Sequence, residues 1–200
     1  MNKLKKHKLN KKPFFIKGYY INTKICDDLI KWFEKNTQYQ TEGKVYVKGG
    51  DRMGSKDKKS TDISINPDNQ DPLIQNYLHE LGKAVEMYKK DFQFCDDKHE
   101  PWSIVEGFNI QRYRPKEGFY TWHYERGQDP ISIKRHLVFM TYLNTVKSGG
   151  QTAYFHQKLK VNAEKGLTVI WPSEWMYLHR GVLSKKETKY IATGWWSYNK

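Results

Sequence analysis

Apolar residues recur at helical spacing in two stretches of the front half of the chain, and alternate with polar ones through most of the back half. Ile25, Cys26, Leu29, Ile30 and Phe33 share one face of a helix that Asn22 can cap and that runs to about Asn36. A second helix is predicted from Asp71, a capping residue, with Pro72 at the first helical position where its missing N–H costs nothing. Its stripe of Leu73, Ile74, Tyr77, Leu78, Leu81, Val85 and Tyr88 ends near Asp91. A helix with one apolar stripe needs a flat surface to cover. Residues 14–20 read as a short strand. Residues 38–69 dissolve into Gly, Lys, Ser and Asp, a long loop with short strands at 44–48 and 62–65.

Beyond Pro101 the pattern changes to short β-rich runs separated by turn residues: 104–113, 119–124, 133–144, 152–155, 167–171, 176–179 and 188–197. Such a series predicts a mainly-β sandwich or barrel, with the front helices backing one sheet. The organisation read from the chain is a basic tail over 1–18, a helical support region over 19–103 and a β core over 104–200, all in one domain.

Composition narrows the class. The chain has 200 residues, 15% of them aromatic, with 7 Trp and 14 Tyr. That load rules out disorder for most of it, and a chain of this size needs no disulfide or metal staple. Two cysteines, Cys26 and Cys95, are too few for a disulfide framework or a cysteine zinc site. The apolar runs fall well short of the roughly 18 residues a membrane span needs. The first twelve residues lack the apolar stretch of a secretory signal. The expectation is a cytoplasmic protein with no membrane partner, from a bacterium or a virus-infected host cell.

The formal net charge is +13. Lys3, Lys5, Lys6, Lys8, Lys11, Lys12 and Lys17 place much of it in the tail, and a second excess lies around Arg52, Lys56, Lys58 and Lys59. Both stretches could track phosphates, or serve only as a solvated tail and a mobile loop.

The candidate chemistry starts at Trp122-His123-Tyr124-Glu125. On a strand, positions i and i+2 point to one face, so His123 and Glu125 aim at one point. His179, placed after a strand ending near Leu178 and before a turn at Arg180-Gly181, can return to the same mouth. Two imidazoles and a carboxylate with the remaining positions open describe the facial triad of non-haem iron oxygenases. The same set suits a catalytic zinc, and ordinary half-buried histidines would also satisfy the pattern. On the last strand, alternation puts Lys189, Ile191, Thr193 and Trp195 on one face. If that face is interior, the Lys189 ammonium needs an anion, and no spare carboxylate is offered by the metal motif. A dicarboxylate ligand bridging metal and Lys189 would satisfy both; a lysine at an edge, reaching out to water, is the plainer alternative.

From Tyr113 to Trp196 the chain resembles the 2-oxoglutarate/Fe(II)-dependent dioxygenases of the prolyl 4-hydroxylase type. The resemblance runs through Tyr113 and Tyr120, His123-Tyr124-Glu125, Arg135, Tyr142-Leu143-Asn144, and Gly149-Gly150-Gln151-Thr152 with Tyr154. It continues through Gly166, His179, Lys189-Tyr190-Ile191 and Trp195. It implies a double-stranded β-helix, or jelly roll, with helices bracing its larger sheet. It implies Fe(II) held by His123, Glu125 and His179, and 2-oxoglutarate held by Lys189 and the Tyr142 hydroxyl in a pocket lined by Tyr113. Arg135 and Trp195 match positions that contact a prolyl substrate. O2 would be the second cosubstrate, L-ascorbate an accessory reductant, and a peptide or protein the partner. Three departures stand out: Glu125 where these enzymes usually carry Asp, Glu187 in place of a glycine, and Tyr154 in place of Phe.

Against a zinc hydrolase stands the lack of a second acid near the motif to serve as general base. Oxygenases that act on alkylated nucleic acid usually carry an arginine pair on the last strand, where this chain has Lys189 and Trp195. A basic jelly-roll binding module, meeting nucleic acid through the tail, would leave the metal set unused. If the substrate is a peptide, the polar loop at 41–61 is the expected lid.

Overall fold

The computed structural model of the chain describes residues 15–46, 52–53 and 56–199. Most of the basic tail, and 47–51 and 54–55 of the expected lid, lie outside the described residues. The front half contains β1 (Lys17–Tyr20), α1 (Thr23–Lys35), β2 (Thr41–Glu42), β3 (Val45–Tyr46), β4 (Arg52–Met53), β5 (Lys58–Lys59), β6 (Thr61–Ile65) and α2 (Pro72–Asp91). It is followed by β7 (Trp102–Ser103), β8 (Phe108–Tyr113), β9 (Gly118–Phe119), β10 (Arg135–Tyr142), β11 (Thr152–Tyr154) and β12 (Leu159–Val161). The chain closes with β13 (Leu167–Pro172), β14 (His179–Gly181) and β15 (Lys189–Tyr198).

Both helices form where their caps predict. The Asn22 side chain accepts the Lys24 N–H at 2.9 Å, and Asp71 accepts that of Leu73 at 2.9 Å. The Trp32 indole donates to Asp71 at 3.0 Å, tying α1 to the cap of α2. Among the described residues, no helix is long and apolar enough to cross a membrane.

The large sheet is antiparallel, in the order β1-β13-β10-β15-β8-β6-β2, with β7 paired to the end of β15. A smaller sheet, β12-β11-β14, completes the jelly roll. Side-chain alternation divides the interior in two. Leu137, Phe139, Ile170, Ala192 and Trp196 face α1 and α2, packing on Leu29, Phe33, Ile74 and Tyr77. Val138, Met140, Tyr142, Val169, Trp171 and Ile191 face the smaller sheet. The second layer lines the candidate site.

Several sequence expectations change. The front half is not only helical support, because β1, β2 and β6 lie in the large sheet beside the back-half strands. The described ends of the polar loop at 41–61 are paired: β2 with β6, and β5 with β9. Its Lys58 ammonium is buried against Asp62 at 2.6 Å. The run at 119–124 forms no regular strand beyond β9, and 175–177 is a 3₁₀ turn, so that His179 begins a strand instead of following one.

Gly194 shows how tightly the helix-facing layer is packed. A Cβ there would lie 2.6 Å from Phe108 Cβ and 2.6 Å from Phe139 Cζ. Neither atom can retreat cheaply, since one is fixed to the backbone of β8 and the other belongs to a buried ring. Gly194→Ala is expected to lower stability by about 1–3 kcal/mol, as overpacking does. A shifted urea midpoint at unchanged slope would register it; an unshifted midpoint would mean that the layer yields.

Candidate metal centre

His123, Glu125 and His179 converge, with one ligand atom of each within 4.8 Å of the others. The convergence does not come from a strand, as alternation suggested, but from a single bridge. His123 N–H donates to the His179 carbonyl at 3.0 Å, and His179 N–H returns the bond at 2.8 Å. The Glu125 N–H, two residues on, donates to the Ser173 carbonyl at 3.1 Å, just past β13. The Phe119 ring stacks on His123 at 3.5 Å between centroids. Tyr154 and Trp171 pack on His179 from the interior.

Hydrogen bonding sets the tautomers. His123 Nδ1 lies 3.0 Å from the Thr121 carbonyl and His179 Nδ1 lies 2.9 Å from the Tyr177 carbonyl. A carbonyl can only accept, so each Nδ1 carries a proton and each ring turns Nε2 toward the centre. Those Nε2 atoms stand 3.5 Å and 3.3 Å from Glu125 Oε1. Burial, and then the neighbouring His179, push His123 below the ordinary imidazole value, which keeps it neutral. Burial alone would raise Glu125, but the two imidazoles facing it hold its carboxyl well below the usual range. The two Nε2 atoms and the Glu125 carboxylate thus meet around one point, where a cation could take the place of the protons between them. The donor set fits a divalent metal of the iron or zinc kind.

Glu125 is held from its other side too. Trp195 Nε1 donates to Oε2 at 3.0 Å, and Arg135 Nη1 lies 3.6 Å from Oε2 while donating to the Glu125 carbonyl at 2.9 Å. Arg135 is also paired with both oxygens of Glu106, at 2.9 Å and 2.7 Å.

Lys189 lies on the interior face of β15 and is 5% exposed. Its hydrogen bond among the described residues is to the Gly150 carbonyl at 3.3 Å, and Nζ sits 4.9 Å above the Tyr113 ring. Gly149 and Gly150 shape that turn with φ of 80° and 75°. Burial lowers the Lys189 pKa to about 8, with no acidic group among the described residues opposing the shift. Tyr142 is buried on the same layer, its hydroxyl donating to Thr152 Oγ1 at 2.7 Å, and the Tyr113 hydroxyl donates to Gln111 at 2.6 Å. The hydroxyl of Tyr154 and the indole N–H of Trp171 are buried without a hydrogen-bond partner among the described residues. Sequence reasoning gave Trp171 no role. Its alternation on a run ending at Pro172 was the available signal.

A family model, the 2OG-Fe(II) oxygenase superfamily, matches residues 108–197. No curated protein matches the sequence. A viral collagen prolyl hydroxylase from Paramecium Bursaria Chlorella virus-1, solved as its 2OG complex, superposes with a TM-score of 0.67 at 20% identity, over 92% of this chain and 96% of that one. A prolyl-4-hydroxylase from Pseudomonas putida gives 0.65 at 16% identity, over 92% and 93%. A prolyl hydroxylase from Trichoplax adhaerens, in complex with a hypoxia inducible factor oxygen degradation domain peptide fragment, gives 0.68 at 12%, over 91% and 83%. At these identities the likeness is one of fold. The family match spans the segment that carries His123, Glu125, His179 and Lys189: residues 108–197 match the 2OG-Fe(II) oxygenase superfamily, and the chain is similar in fold to the prolyl 4-hydroxylases.

Proposed function

We propose that the chain hydroxylates an unactivated C–H bond of a prolyl residue in a peptide or protein, with Fe(II) held by His123, Glu125 and His179 and 2-oxoglutarate anchored by Lys189. The observation that carries this reading is the pairing of two features: three metal-ligating groups converging on one point, and a buried ammonium with no anion beside it among the described residues. A metal answers the first and the far carboxylate of a metal-chelating dicarboxylate the second. Bound iron with 2-oxoglutarate and O2 would supply the oxidising power, the cosubstrate leaving as succinate and CO2. The protein's own part is to orient and to exclude water. The backbone bridge sets the imidazoles, Trp195 and Arg135 set the carboxylate, and Phe119, Tyr154 and Trp171 wall the centre with aromatic surface.

The prolyl assignment draws support from the shared fold, and from the peptide seen on the Trichoplax enzyme. Incubation with Fe(II), 2-oxoglutarate, O2 and a proline-rich peptide is expected to yield succinate in step with peptide heavier by one oxygen atom. Succinate without peptide oxidation would move the substrate elsewhere, and no succinate under any condition would sink the reading.

Cosubstrate binding should depend on pH through Lys189. Its free pKa is about 8, and a bound carboxylate raises it. Below that value the ammonium is already present, so affinity is flat; above it each pH unit requires proton uptake and affinity falls about tenfold. Calorimetric titration of the Mn(II)-loaded protein with 2-oxoglutarate between pH 6.5 and 9.5 reads this slope. Lys189→Arg, always charged, removes it.

A further inference from the structure

We propose that Arg135 and Trp195 form a clamp on the outer oxygen of Glu125, and that this clamp is what allows a glutamate to serve at the metal. The proposal rests on the reading of Glu125 as a ligand and makes Arg135 and Trp195 positioning residues, a role different from the substrate contact that the resemblance implied.

Glutamate has one more rotatable bond than aspartate, so its carboxylate can leave the shared point of the two imidazoles in more ways. Here that freedom is removed from behind. Oε1 faces the histidines, while Oε2 receives the Trp195 indole N–H at 3.0 Å. Arg135 holds residue 125 at both ends, donating to its carbonyl at 2.9 Å and lying 3.6 Å from Oε2. The clamp is itself braced. The guanidinium carbon lies 3.5 Å over the Trp195 ring, so the two side chains stack. Glu106 takes the remaining face of Arg135 with two bonds, and Ser197 donates to Glu106 at 3.1 Å.

Backbone geometry builds this arrangement on purpose. On β10, Leu137 and Phe139 face the helices, and strict alternation would send Arg135 there as well. The register instead slips by one residue between Arg135 and Leu137: Leu137 pairs with Trp196, and Arg135 with Ser197. The bulge turns Arg135 to the metal side of the sheet, where Trp195 and Ser197 already point. With its guanidinium engaged by Glu106, Glu125 and the indole, Arg135 has little left to offer a substrate.

The test is Co(II) binding to the apo protein, read from the visible d–d spectrum, so that no turnover is needed. Trp195→Phe keeps the ring and loses the N–H; Arg135→Gln attacks the clamp from its other side. Each is expected to weaken Co(II) by about 10- to 100-fold and to shift the d–d bands, as loss of an outer-shell partner does. Trp195→His, which keeps a ring N–H, is expected to recover part of the loss. In an Glu125→Asp background, whose shorter side chain cannot span from metal to indole, Trp195→Phe should cost nothing further. Thermal melts identify any variant that fails to fold, and the other clamp variant then decides. Wild-type affinity and spectrum in both Trp195→Phe and Arg135→Gln would overturn the clamp, as would an equal cost of Trp195→Phe in the Asp background. Wild-type protein that binds no Co(II) would overturn the ligand reading itself, a result distinct from either.

Discussion

His179→Ala is expected to erase the visible charge-transfer band that wild-type protein should develop when Fe(II) and 2-oxoglutarate are added without O2. Succinate formation should fall by more than the roughly 100-fold that an outer-shell partner is worth, because a ligand itself is lost. The substitution is a fair probe of the metal since the bridge between His123 and His179 is made by backbone atoms and survives it. With Nδ1 committed to the Tyr177 carbonyl, Nε2 faces Glu125 Oε1 at 3.3 Å, the point a shared cation would occupy. A band of wild-type intensity in the alanine variant would remove His179 from the site. A band that never forms in wild-type protein, with tight zinc retention in its place, would favour a hydrolase.

Lys189→Met carries two expectations of opposite sign. Affinity for 2-oxoglutarate should drop by roughly 30- to 3000-fold, the range for removing one member of a buried charge pair. The apo protein, by contrast, should be at least as stable as wild type. A methionine fills similar volume, and its thioether escapes the desolvation that pulls the lysine pKa down to about 8. A structural lysine gives the reverse pattern, with unchanged affinity and a lower melting temperature. Measuring both on the same preparations separates a cosubstrate anchor from a core residue.

Legibility in the sequence followed locality. The two helices were readable to the residue because their signals are local: Asn22 and Asp71 accept bonds from amides two positions on, and the stripes repeat every turn. The interior face of β15 was readable for the same reason, as alternation carries unbroken from Lys189 to Trp196. What failed depended on distant partners. Aromatic and β-branched residues at 119–124 favour a strand, yet beyond Phe119 only His123 forms a β-bridge among the described residues, and its partner is 56 positions away. The placement of β1 against β13 and β6 against β8 could not be told from their own short stretches. Nor could the bulge at Arg135, since nothing in the residues 133–137 announces that Ser197 will face one of them. The convergence of His123, Glu125 and His179 was legible because chemistry narrows the choice of residue types, whereas the contacts that aim those side chains were not.

The bridge between His123 and His179 also bears on the order in which the molecule comes together. A zinc finger gathers its ligands from a few neighbouring turns, so the ion can act as nucleus and fold the chain around itself. Here His123 arrives from the segment after β9, His179 from the start of β14, and Glu125 hangs on the carbonyl of Ser173 beyond β13. Closing loops of that length is entropically expensive, and it becomes favourable only once the large sheet has paired. An ion held by these three residues would therefore be a late arrival that the finished barrel captures, and scarcity of the metal would leave behind a folded protein ready to be charged.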